Sequence, residues 1–408
     1  MEFKKKVLDN GLTIIGEVNE AALSAAVGFF CKTGSRDETP EISGVSHFLE
    51  HMMFKGTEKM TALQVNEAFD HLGAKFNAFT SEENTVYYAA VLPEYLQEVT
   101  SLWSQLMRPS LRDEDFNIEK NVIKEEIAMY KDLPQFDVMD KCRSMHFKNH
   151  PCGNSVLGTN ESINALTADQ MRDYFEHRYA PNNMTVACCG NFNFDKLCSL
   201  IDSACGKWTR QEAPREISTY KGSLDRKRQS KNSLVCEHIC LLSQAVSMQS
   251  PRRYAGSLLS MIIGDQTGSR FFWALIDNAL AEVAATHYET MDGTGCVYNY
   301  FRCKPENAEK VMEIAEGIFT EIEKNGINED ELQKAKNKVL SAITIKSEQP
   351  MGRLTNLGLN WVYSQKYRSV TDDVESIKAV TVEDVNKLIN DYPLSKFTNF
   401  TLGPKTKS

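Results

Sequence analysis

ESINALTADQM, residues 161–171, returns as ESIKAVTVEDV at residues 375–385, an offset of 214 positions and about half of the 408-residue chain. In each copy a threonine, Thr167 or Thr381, is followed three residues later by Gln170 or Asp384, the pattern of a capping box that opens a helix. Each copy then passes a Tyr-Ala-Pro or Tyr-Pro turn into a short β-rich segment, NMTVACCGN at 183–191 and FTNFTLGP at 397–404. The same offset sets the apolar run Ala22–Gly34 opposite Cys236–Met248. One offset shared by several segments implies an internal duplication. The expected organisation is two homologous domains, 1–210 and 232–408, joined by the polar linker 211–231.

Within the first copy, strand patterns cover Leu12–Val18, Ala25–Cys31, Thr85–Val91 and Met184–Cys189. Helix patterns cover 43–54, 61–72, 93–107, 113–131 and 167–178. Strands followed by consecutive helices, without strict βαβ alternation, predict an α+β fold. Each domain is then a mostly antiparallel sheet with helices packed on one face.

Composition narrows the function. The chain is 42% hydrophobic and 25% charged, the balance of a soluble globular protein. A net charge of −9 disfavours nucleic acid as a partner, and the short basic run Arg226-Lys-Arg-Gln-Ser-Lys231 reads as solvated linker. The N-terminal MEFKKKVLDNG has no apolar core of a secretory signal, and the apolar run Ala21–Cys31 is too short to span a bilayer. The eleven cysteines contain no CxxC pair and fall mostly in apolar runs, which predicts buried reduced thiols. The expectation is a cytoplasmic protein with no membrane partner.

Chemistry concentrates in HFLEH, residues 47–51, in a chain with only eight histidines. On a helix capped by Ser43 and closed by Lys55-Gly56, His47, Glu50 and His51 share one face. Two imidazoles one turn apart can grip a zinc ion, and Glu50 is then placed to take a proton from an activated water. A chance HxxEH is expected on the order of once in a hundred such chains, so a third ligand has to be found. Helix 113–131 offers Glu119 and Glu126, seven apart and on one face, with Ile123 and Val122 expected on the inner side and Glu125 toward solvent. Two readings stay open for this helix. It is a solvated acidic face, or Glu126 completes a His₂Glu site with an open fourth position while Glu119 orients a ligand or the water.

HFLEH, followed 75 residues after His51 by the glutamate of VIKEE, resembles the pitrilysin family of zinc peptidases, whose short-chain branch includes the mitochondrial processing peptidases and bacterial relatives. The likeness extends through LDNGLTII, TGSRDETPEISGVSHFLEHMMFKGT, AKFNAFTSEENTVYYAAVL, HPCGNSVLGTNESI and YAPNNMTVACCGN, and to GSRFFWALID in the second half. The resemblance implies one Zn²⁺ per chain on His47, His51 and Glu126, with Glu50 as general base. It makes Glu119 the family's additional acidic residue. It also implies that Asn77 and Ala78 lie on an edge strand that pairs with extended peptide substrates.

The second copy reads MIIGD at 261–265, opposite HFLEH, and has no metal ligands. Where relatives carry an Arg and a Tyr directed at the substrate, this chain has Ile276 and Val283. Arg270, His287 and Tyr288 lie close in sequence and are the candidates to compensate. Tyr288 is either a replacement donor to the substrate or a packing residue. His146 and His150 are expected to be structural, and His71 to sit at a helix end. The functional expectation is a zinc metalloendopeptidase acting on short or unfolded peptides. The resemblance also implies a dimer, of identical chains or with a related metal-less subunit. The alternative is a catalytically silent or partner-dependent structural subunit of a pitrilysin-type assembly.

Overall fold

Ala25–Cys31, an uninterrupted apolar run, is a strand with every residue buried, as a central strand covered on both faces requires. The computed structural model describes residues 1–405. The first sheet has six strands: β1 (Glu2–Val7), β2 (Thr13–Val18), β3 (Ala25–Cys31), β4 (Lys75–Thr80), β5 (Thr85–Val91) and β6 (Met184–Gly190). Their order is β1-β2-β6-β3-β5-β4, so β1 and β4 are edges. Every neighbouring pair is antiparallel except β2 with β6.

The second sheet contains β7 (Arg226–Ser230), β8 (Glu237–Ala245), β9 (Val283–Thr290), β10 (Gly295–Cys303) and β11 (Phe397–Gly403). Its order is β7-β11-β8-β10-β9, again with a single parallel pair, β11 with β7. The basic run expected to be linker is therefore largely strand. Its residues Arg226–Ser230 are all exposed on the sheet's edge, where lysine and arginine discourage edge-to-edge pairing.

The chain divides into two compact units that are not contiguous in sequence. One comprises 1–128, 154–216 and 344–368; the other comprises 129–153, 217–343 and 369–408. In the first unit one face of the sheet is buried under the sequence-local helices, around Phe48, Phe69 and Trp103. The other face is covered by helix Pro350–Ser364, whose Leu354, Leu357 and Trp361 meet Phe30, Val86 and Ala187. In the second unit helix Pro134–Phe147 covers the equivalent face, with Val138 and Cys142 against Cys240, Tyr298 and Phe400. These two helices occupy equivalent places in the 214-residue repeat, and each packs on the sheet of the other half. The expectation of helices on one face is corrected by this exchange: the opposite face also needed apolar cover.

Both predicted capping boxes form. Thr167 accepts from the Gln170 amide and Thr381 from the Asp384 amide, and the N3 side chains return the bond. All eleven cysteines are free, and all but Cys236 are buried. Among the described residues no helix is long and apolar enough to cross a membrane.

Candidate metal centre

The motif lies on helix Val45–Met53, whose Val45, Phe48, Leu49, Met52 and Met53 are buried. That apolar stripe fixes the roll of the helix and turns His47, Glu50 and His51 to another side. Ser43 is not the cap. The N-cap is Gly44 in the left-handed region, at φ 92°, and the Glu38 carboxylate accepts from the amides of Gly44 (2.7 Å) and Ser46 (2.8 Å). Burial pushes the Glu38 carboxyl up to about 7 against the pull of those amides.

The second element is helix Asp113–Asp132, held by Phe116, Ile123 and Ile127. Phe116 stacks on Phe48 with centroids 4.7 Å apart and planes 11° apart, which sets the two helices in register. On this helix Glu119 is buried, Glu126 partly buried and Glu125 exposed. Val122, expected inside, is 41% exposed. It shares the side of Glu119 and Glu126, and that side opens to solvent near the centre rather than into the core.

The two helices bring His47, His51 and Glu126 together. One ligand atom from each lies within 4.8 Å of the others. His47 Nε2 is 3.7 Å from Glu126 Oε1, and His51 Nε2 is 3.4 Å from Glu126 Oε2. Ligand atoms about 3.3 Å apart are what a tetrahedral ion with bonds of about 2.05 Å requires. Two imidazole nitrogens and a carboxylate at this spacing therefore fit zinc.

Around these atoms the electrostatics are specific. The His51 Nδ1 lies 2.8 Å from Glu119 Oε1, and Glu119 Oε2 pairs with Lys55 Nζ at 2.5 Å. With Nδ1–H donating to that carboxylate, the Nε2 lone pair is directed at the centre. Burial works against a charged His51, but the Glu119 hydrogen bond and the charges of Glu126, Glu119 and Glu50 raise its pKa. Burial holds the His47 imidazole down at about 3, and the neighbouring His51 adds to this, so His47 is neutral and able to ligate. Burial raises the Glu126 carboxyl, with Glu119 adding to it and His51 opposing. Glu119 is lowered: burial opposes, but hydrogen bonds from His51 and Lys55 prevail. Glu50 is raised by burial against a hydrogen bond from Thr80, whose Oγ1 donates to Glu50 Oε2 at 2.6 Å.

The remaining predicted residues divide. Asn77 and Ala78 are on β4, the sheet's edge; Asn77 is exposed with its Oδ1 on the Ala78 amide at 2.9 Å, and Ala78 is buried. Tyr288, in the other unit, packs over Gly256, and its hydroxyl donates to the Val246 carbonyl at 3.4 Å. Arg270 is paired with Glu321 and Glu331, and His287 is exposed. Ile276 and Val283 are partly buried. His146 and His150 are buried on Thr398 Oγ1 and Ser218 Oγ, as structural histidines should be. Sequence reasoning missed Thr80 and the ion-pair role of Lys55. Both flank motifs already singled out, NAFTS and HFLEHMMFK.

Comparison with known proteins identifies the family. The family described as Insulinase (Peptidase family M16) matches residues 13–160, and the Peptidase M16 inactive domain matches residues 165–339. The uncharacterized zinc protease YmxG of Bacillus subtilis is 31% identical over 94% of this chain and 94% of its own. An uncharacterized zinc protease of Mycobacterium leprae is 30% identical over 98% of this chain and 91% of its own. The crystal structure of a protease from Helicobacter pylori superposes with a TM-score of 0.92 at 21% identity, covering 99% of both chains, which establishes the shared fold.

Proposed function

Because this chain belongs to the M16 peptidase family, we propose that it is a zinc metalloendopeptidase with His47, His51 and Glu126 as ligands and Glu50 as general base. When bound, the zinc supplies a Lewis acid that polarises the scissile carbonyl and lowers the pKa of a water to about 7. Glu50 takes the proton of the attacking water and delivers it to the leaving amine. Glu119, through its hydrogen bond to His51 Nδ1, orients a ligand. The observation that carries the proposal is the convergence of the three ligand atoms within 4.8 Å beside a fourth residue, the acidic Glu119, whose carboxylate lies 2.8 Å from His51 Nδ1. A silent subunit has no need of that set, so the catalytic reading is preferred.

The substrate is an extended peptide added to the free edge of β4, where Asn77 is exposed and backbone pairing accepts many sequences. Folded domains cannot present such a strand and are excluded. Completion of the cleft by a second chain, identical or metal-less, and a cytoplasmic location complete the proposal; the free cysteines support a reducing compartment. The packing of Tyr288 favours a structural role for it over donation to substrate. Purified protein incubated with a mixed peptide library, with and without a chelator, and read by mass spectrometry tests the activity. Chelator-sensitive internal cleavage is expected; an untouched library contradicts the proposal.

A further inference from the structure

We infer that Thr80 is a positioning residue for Glu50: its hydroxyl pins one carboxylate oxygen and leaves the other to receive the proton. The inference rests on the reading of Glu50 as general base. Among the described residues Thr80 is the only side chain that donates a hydrogen bond to Glu50, at 2.6 Å on Oε2. A glutamate side chain has a broad, shallow terminal torsion, so a half-buried carboxylate without a donor samples several orientations. A donor on one oxygen selects among them.

The position of that donor is fixed by the fold. Thr80 is the last residue of β4 and sits opposite Thr85 of β5, whose own hydroxyl donates to the Thr33 carbonyl at 3.0 Å. β-branching restricts its side chain to few rotamers, so the hydroxyl follows the backbone. The turn that comes next, Ser81–Asn84, is closed by the Ser81 amide on the Asn84 carbonyl at 2.8 Å.

Outside contacts clamp the same turn. Glu83 pairs with Arg36 at 2.5 Å, with both side chains at most 2% exposed, and accepts from the Tyr363 hydroxyl at 2.8 Å. The Arg36 amide donates to the Glu82 carbonyl at 2.8 Å, and Arg215 donates to the Glu83 carbonyl at 2.5 Å. Gly34 lies so close that a Cβ there would stand 2.2 Å from the Ser81 carbonyl oxygen. Two arginines, a tyrosine and a glycine thus hold the turn that follows Thr80, and Thr80 carries that placement to the base. Tyr363 is on helix Pro350–Ser364, so the C-terminal half of the sequence contributes to the same clamp.

The test uses the full chain loaded with zinc and compares Thr80→Val with Thr80→Ser. Thr80→Val keeps shape and removes the hydroxyl; kcat is expected to fall about tenfold to a hundredfold, the scale of a slightly misplaced catalytic group, with KM and zinc content unchanged. Thr80→Ser restores the donor and recovers most of the loss. Crystals of the Val variant should show Glu50 in more than one rotamer at full zinc occupancy. In a Glu50→Gln background, Thr80→Val should have no further effect on the residual rate. An unchanged kcat in Thr80→Val alongside an inactive Glu50→Gln overturns the positioning role and leaves the proposed function standing. Loss of activity together with zinc, or no recovery with serine, makes Thr80 merely structural and also overturns it. An active Glu50→Gln overturns both.

Discussion

Removing Glu119 should weaken zinc binding without removing any ligand, and the size of the loss follows from its contacts. The carboxylate receives the His51 Nδ1–H at 2.8 Å and the Lys55 ammonium at 2.5 Å, with its side chain 4% exposed. Glu119→Ala leaves the imidazole N–H without its acceptor and frees the ring to turn or change tautomer. A hydrogen bond to a buried charged group contributes about 1.5–3 kcal/mol. The loss of a partner behind a metal-ligating histidine costs about 10- to 100-fold in affinity, or about 1.4–2.8 kcal/mol. The two estimates coincide, so Glu119→Ala should bind zinc about 10- to 100-fold more weakly. Glu119→Gln keeps an acceptor oxygen but loses the charge, and should fall between Ala and wild type. Competition against a chromophoric chelator at fixed pH measures the affinities, and thermal unfolding of the metal-free proteins checks that each variant folds. Wild-type affinity in Glu119→Ala would refute the orienting role. A loss as large as that of Glu126→Ala would make Glu119 a ligand instead.

Glu126→Gln should lower zinc affinity measurably in the same titration, whereas the exposed Glu125→Gln should leave it unchanged; the reverse result places the helix phase one residue off. Burial, with the Arg143 charge adding to it, holds His146 down at about 4, below the ordinary value of 6.5. The unfolded chain therefore binds a proton that the native state refuses between those values. Stability should fall as pH drops through that window, by up to about 1.4 kcal/mol per pH unit, and His146→Gln should flatten this acid limb in metal-free melts. Arg353 and Glu17 form an ion pair with both side chains at most 2% exposed, inside the unit that includes helix Pro350–Ser364. Arg353→Met leaves the Glu17 charge buried with Tyr367 alone and should cost about 3–5 kcal/mol in urea unfolding; a loss below 1 kcal/mol would mean the pair is effectively solvated.

The strands Ala25–Cys31 and Thr85–Val91 have the bounds expected from sequence, because each joins valine and paired aromatic residues to small ones with no charged residue to interrupt the run. The capping boxes at Thr167 and Thr381 were equally legible, being local and stereotyped. The exchange of helices Pro134–Phe147 and Pro350–Ser364 was not. They are equivalent in the repeat, and the buried face of the first mixes Val138, Cys142 and Phe147 with Asp137, Arg143 and His146, so no local pattern says which sheet each will cover. The cap at Gly44 was hidden for a related reason: the group that satisfies the helix, Glu38, lies outside it in an irregular segment. At Val122 the helical phase was right and the burial wrong, since periodicity locates a face but not whether that face meets core or cleft. The spacing of His47, His51, Glu119 and Glu126 was readable because two helices with clear apolar stripes carry all four. Thr80 reaches Glu50 only through sheet pairing, which a one-dimensional pattern does not display.

Zinc content and peptide hydrolysis measured side by side on Glu50→Gln test the catalytic assignment most directly. The carboxylate acts as base and not as ligand, so the variant should retain wild-type zinc stoichiometry and lose hydrolysis. Zinc lost together with activity, or hydrolysis undiminished, would contradict it.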